Sequence, residues 1–116
     1  KLQLNKLKLQ DLEVLNEALE LYGAYLFFFI QSEPNQALYI YKSICVELQF
    51  MIANKLKVRS LPANTLLNLE QHQAFAFQNA LQHLISRSEH DLTRAVARRL
   101  LERVNKMLPV VAQTQE

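Results

Sequence analysis

Asn35-Gln-Ala-Leu-Tyr-Ile-Tyr-Lys-Ser-Ile-Cys-Val-Glu-Leu-Gln-Phe-Met-Ile-Ala-Asn-Lys-Leu56 is the stretch that decides the fold. At helical spacing, Leu38, Tyr41, Cys45, Leu48 and Ile52 form one apolar stripe, and Tyr39, Val46, Phe50 and Ala53 form a second on the other side. A helix that is apolar nearly all round must be covered in two directions. In a chain of 116 residues the cover comes from a compact bundle, from a second copy of the chain, or from both.

Upstream, Ser32-Glu-Pro34 interrupts the pattern, and proline suits the first turn of a helix because its missing N–H costs nothing there. Before that break the periodicity predicts a first helix over about 10–31. Leu12, Leu15, Leu19, Tyr22, Leu26, Phe29 and Ile30 lie on one face, widened by Val14, Ala18, Tyr25 and Phe28. Glu13, Asn16, Glu17 and Glu20 lie opposite, and Phe27 projects on that polar side. The end of this helix therefore needs covering just as the next helix does. So short a link makes the two helices an antiparallel hairpin over 10–56. The apolar run Leu21–Ile30 is half the length of a membrane span and reads as buried helix.

The first nine residues alternate, with Leu2 and Leu4 in one phase and Leu7 and Leu9 in the other. Alternation predicts an extended segment with one covered face and a bulge or turn where the phase slips, at Asn5-Lys6. Residues 57–69 read as a linker with Pro62, Asn64 and Asn68, and Leu67-Asn-Leu69 resembles Leu7-Lys-Leu9 closely enough to suggest a short two-stranded ribbon between segments near 2–9 and 66–69. A third helix is expected from Asn68, capped with Gln71 as the returning side chain, to about Arg87, with Ala74, Phe77, Leu81, Leu84 and Ile85 inward. Ser88-Glu-His-Asp91 reads as the next capping box. A fourth helix follows to about Leu108, with Leu92, Val96, Leu100, Leu101, Val104 and Leu108 inward. Residues 109–116 are expected to fray. The whole is a single all-α domain, a four-helix bundle of two αα-hairpins (10–56 and 70–108). Asn16-Glu-Ala-Leu19 resembles Gln78-Asn-Ala-Leu81, and Asn54-Lys-Leu56 resembles Asn105-Lys-Met107, which raises an internal repeat.

Composition excludes more than it assigns. One glycine rules out a glycine-rich phosphate loop. His72 and His83 fall on one side of the third helix, ~16 Å apart at 1.5 Å per residue, too far to share a metal. His90 lies in the cap before the fourth helix, and Glu13, Glu17 and Glu20 form an outward acidic stripe rather than the inward carboxylates of a di-metal bundle. Neither a catalytic set, a metal site nor a cofactor site is expected, and no membrane partner or small-molecule substrate. The lone Cys45 sits on an apolar face, where a thiol acts as a small hydrophobe, and its single occurrence fits a reducing, cytoplasmic setting.

A net charge of +2 implies no partner by itself, but the signs are unevenly placed. Residues 11–33 carry five acids and no base, whereas 87–106 carry six bases and three acids. Helix dipoles favour acids early in a helix and bases late, which accounts for much of this. Two functional readings follow. The first is a non-enzymatic interaction module that pairs as a homodimer, or with another helical protein, through Phe27, Tyr39, Val46, Phe50 and Ala53, with Phe75 as a further outward aromatic. The second is a nucleic-acid-binding accessory or regulatory protein using Arg94, Arg98, Arg99, Arg103 and Lys106 on one face of the fourth helix. A helix-turn-helix is disfavoured by long helices and a turn without glycine. An enzyme built around His72 or His83 with an acid would need a pocket that joins them.

Overall fold

The computed structural model describes residues 2–57 and 65–109. They form six elements: β1 (Leu2–Leu7), α1 (Leu9–Ser32), α2 (Gln36–Leu56), β2 (Thr65–Leu69), α3 (Gln71–Arg87) and α4 (Asp91–Met107). The fold is a four-helix bundle of two helical hairpins with a two-stranded antiparallel ribbon. Most of the expected linker (58–64) and nearly all of the expected tail (110–116) lie outside the described residues.

The ribbon forms because each strand offers one apolar face to the helices. Leu4, Leu7, Leu67 and Leu69 are buried, while Gln3 and Asn68 face out. Leu2 pairs with Leu69, Leu4 with Leu67 and Leu7 with Thr65, so two residues of β1, Asn5 and Lys6, span what one residue spans in β2. The extra residue is taken up at Lys6, whose φ of 55° is the only positive value at a non-glycine residue among those described. The phase slip legible in the sequence is thus a bulge that keeps Leu4 and Leu7 on the same side. The expected partnership of Leu67 and Leu69 with Leu7 and Leu9 is corrected: Leu2 and Leu4 pair with them, and Leu9 is an exposed first residue of α1. Residues 65–69 are strand rather than linker.

Each strand passes into its helix through a single residue, and both junctions are closed in the same way. The Lys8 N–H donates to Asp11 Oδ2 (2.9 Å), and the Glu70 N–H donates to Gln73 Oε1 (2.8 Å). In both, the third helical residue returns its side chain to the backbone N–H of the N-cap, Lys8 in α1 and Glu70 in α3, the returning half of a capping box. The expected cap at Asn68 is corrected by two residues, since Asn68 is engaged in the strand. Asn35 caps α2, its Oδ1 accepting from the Ala37 N–H at 2.8 Å, and Pro34 stands before the cap instead of within the first turn. The Ser88 box is not formed: Ser88 Oγ accepts from the His90 N–H (3.2 Å), and His90 is the N-cap of α4.

Strand–helix–helix therefore occurs twice. Leu7, Asp11, Leu15 and Leu19 fall where Leu69, Gln73, Phe77 and Leu81 fall, and all eight are buried. In the second helices, Cys45, Leu48 and Ile52 match Ala97, Leu100 and Val104 at the same spacing of three and four. That alignment differs by one residue from the Asn54/Asn105 match read in the sequence.

α1 is the central helix, packed against α2, α3 and α4, whereas α2 rests chiefly on α1. The core joins Leu12, Leu15 and Leu19 of α1 to Leu48 and Ile52 of α2, Phe77 and Leu81 of α3, and Leu100 and Val104 of α4. Two expectations fail here. Leu92 is 66% exposed because it lies in the first turn of α4, beyond the reach of the core, and Phe75 is half-buried against the core instead of facing outward.

Asp11 is the polar anchor of this arrangement. It is buried, caps α1, and takes Arg99 Nη2 of α4 at 2.5 Å, while Arg103 Nη2 donates to the Asn5 carbonyl at the bulge. Asp11→Ala removes the cap and leaves the Lys8 N–H without its partner. We expect a loss of about 2–3 kcal/mol of unfolding free energy in urea titration. Asp11→Asn, which retains an acceptor, should lose roughly half as much.

Candidate interaction surface

α2 buries only Cys45, Leu48 and Ile52 fully, all toward α1. The opposite ridge carries the second stripe. Phe50 is 68% exposed, Tyr39 55% and Val46 38%, and Ala53 is exposed as well. Val46, Gln49, Phe50 and Ala53 line a shallow groove of about 320 Å³ with Asn16 of α1 opposite them. Phe27 of α1 adjoins on the same side. Lys42 Nζ lies 5.9 Å from its ring centroid, and the same ammonium stands 3.7 Å from where a Cβ on Gly23 would be. Tyr39 stands farther along the ridge, toward the start of α2, and borders a second groove of about 660 Å³ with Ile40, Ser43, Ile44, Glu47 and His72.

The tip of the first hairpin is more exposed than its periodicity predicts. The Arg87 guanidinium lies 5.4 Å from the Tyr25 ring centroid, so α3 ends at the level of Tyr25 and the last turns of α1 run past it. Phe28 is 63% exposed, and Tyr25, Phe29 and Tyr41 are partly so, although all four were expected on apolar, covered faces. Tyr22, Tyr25, Phe29 and Tyr41 line a groove of about 430 Å³ there, with Glu33 at its edge. The rings of Tyr25 and Phe29 meet edge to face at 4.8 Å. The aromatic run 25–29 was visible in the sequence, but the length difference between α1 and α3 that uncovers it was not.

The histidines and the cysteine do not assemble. His83 packs its ring 4.5 Å from Tyr25 and 5.7 Å from Tyr22, and burial, then the nearby Arg87 charge, lower its pKa. His72 and Glu47 share the groove of about 660 Å³, the juxtaposition an enzyme reading asks for. Yet Glu47 Oε1 accepts from Gln73 Nε2 (2.7 Å), and no hydrogen bond links His72 to Glu47 or Ser43. Among the described residues no group of three or more His, Cys, Asp or Glu side chains could hold a metal ion. No described helix is long and apolar enough to cross a membrane.

Cys45 is fully buried, and that burial pushes its thiol up to about 11 against a weaker opposing pull from Lys42. Unfolded, the thiol ionises near its ordinary 9.0; folded, it keeps its proton. Its contribution is therefore complete below pH 9 and is lost as pH rises through about 11. The unfolding free energy should fall across that window, and Cys45→Ala should flatten this part of the pH dependence in denaturant titrations.

On α4, three of the five basic side chains already have partners. Arg99 pairs with Asp11, Arg103 holds the Asn5 carbonyl, and Lys106 lies 3.9 Å from Glu102. Arg94 Nε is buried without a hydrogen-bond partner, and Arg98 is exposed.

The sequence matches no family model, and neither a curated protein nor a solved structure shows significant similarity to it.

Proposed function

We propose that this protein is a non-enzymatic helical interaction module that self-associates as a homodimer through the outer ridge of α2, using Tyr39, Val46, Phe50 and Ala53 with Phe27 at the flank. One observation carries the reading. α2 and α4 hold equivalent places in their hairpins and bury equivalent residues, but they dress their solvent faces oppositely. Matched on Cys45/Ala97, Leu48/Leu100 and Ile52/Val104, the outward residues Val46, Phe50 and Ala53 of α2 correspond to Arg98, Glu102 and Asn105 of α4. α4 is thus the chain's own example of how such a face is made for water. A contiguous apolar ridge at the same positions of α2 supports a contact surface, because isolated soluble domains keep such patches small.

Sedimentation equilibrium across the micromolar range tests this. A concentration-dependent monomer–dimer equilibrium is expected, and a single monomeric species throughout would overturn it.

The nucleic-acid reading is weaker, because Arg99, Arg103 and Lys106 are engaged within the fold. It would displace the first if the protein bound DNA or RNA at low salt with an affinity falling steeply as salt is added.

A further inference from the structure

The outer ridge of α2 is more regular than an apolar patch needs to be. Tyr39, Ser43, Val46, Phe50 and Ala53 follow one another at intervals of four, three, four and three residues. That is the spacing of the a and d positions of a coiled coil: d at Tyr39, a at Ser43, d at Val46, a at Phe50 and d at Ala53. The seam lies opposite the stripe that α2 buries on α1, so it is free along its length. Over two heptads a straight helix drifts by only about 40° from a strict seven-residue repeat, which leaves all five residues on one side. Two heptads would not hold a helix by themselves, but α2 is already held by its packing on α1.

The flanking positions say which helix fits. In this register Lys42 and Gln49 occupy g, and Glu47 and Asn54 occupy e. A parallel partner places each g residue beside the e residue five positions later in the other strand. If the partner is the same helix, Lys42 would swing off the Phe27 ring to meet Glu47 of the second copy, whose carboxylate keeps one oxygen on Gln73 and offers the other, and Gln49 would meet its Asn54, each twice by symmetry. An antiparallel partner sets e against e and g against g. Glu47 would then face Glu47, Ile40 or Asn54 of the second copy, none of them a base, and Lys42 would have no carboxylate opposite it.

Building on the self-association proposed above, we propose that α2 pairs with α2 of a second copy as a parallel, in-register two-stranded coiled coil, locked by reciprocal Lys42–Glu47 ion pairs.

The test uses the full chain. Lys42→Glu and Glu47→Lys should each weaken self-association about tenfold by replacing attraction with repulsion, and mixing the two variants should restore it as a heterodimer. Ala53→Cys, in a Cys45→Ala background, should form an intermolecular disulfide on mild oxidation, because residue 53 meets its own copy only in the parallel register. Restoration on mixing together with the Ala53→Cys cross-link supports the pairing. A dimer in which Lys42→Glu leaves the dissociation constant unchanged and Ala53→Cys does not cross-link overturns the parallel arrangement while leaving self-association standing. A monomeric wild type overturns both.

Discussion

Phe50→Glu is expected to convert the proposed homodimer into a monomer without loosening the monomer itself. Phe50 is the most exposed large apolar side chain among the described residues and lies one turn from the Ala53 end of the proposed contact. A large aromatic anchor at an interface contributes about 2 kcal/mol or more, so association should weaken by at least about thirtyfold. A two-fold contact also brings the new carboxylate close to its own copy, which adds repulsion and raises the effect further. Within one subunit the change removes little buried surface. The matching position on α4 is Glu102, an exposed glutamate on a helix that packs well. The unfolding free energy measured at low concentration should therefore shift by no more than about 0.5 kcal/mol. Sedimentation and denaturant titration of the same preparation read the two effects separately. A variant that still associates with wild-type affinity would remove Phe50 from the contact. One that unfolds several kcal/mol more easily would show that Phe50 supports the subunit instead.

Phe77→Ala is expected to do the reverse. Phe77 is fully buried, the largest side chain in the core, on the face of α3 that meets α1. Emptying that volume costs the transfer of the ring plus the cavity left behind, about 3–5 kcal/mol. Domains of this size have about 5–15 kcal/mol in all, so the variant should be close to unfolding at physiological temperature. Phe77→Leu, which refills most of the space, should cost under about 2 kcal/mol. Thermal and urea unfolding give the difference directly. A loss below about 1.5 kcal/mol for the alanine variant would mean that the bundle collapses around the gap and that its centre is not Phe77. The two phenylalanines, chemically identical, thus separate the surface proposed to hold copies together from the core that holds one copy together.

Between these sites the chain shows how far periodicity carries. Helical spacing identified the residues that share a face in every helix, and Leu12, Leu15, Leu19, Leu48, Ile52, Phe77, Leu81, Leu100 and Val104 are all buried. Alternation with a slip at Asn5-Lys6 disclosed both the strand and its bulge. Other features left no pattern of the usual kind. The returning caps made by Asp11 and Gln73 escape a search for Ser or Thr N-caps, because the N-cap residues, Lys8 and Glu70, are long charged side chains. The role of Asp11 was equally hidden, since its partner Arg99 is 88 positions away.

What the amino-acid order determined by itself is therefore the set of elements and the two-sided greasiness of α2, because hydrophobic spacing is local and survives without knowledge of the neighbours. Tertiary structure alone decided which of those faces finds cover. α1 and α2 reach past the end of α3, leaving Phe28 and Tyr41 in the open, while Phe75 turns in against the core and Leu92 turns out. Spacing names a helix's faces; the lengths and packing of the surrounding helices determine which of them lose their water.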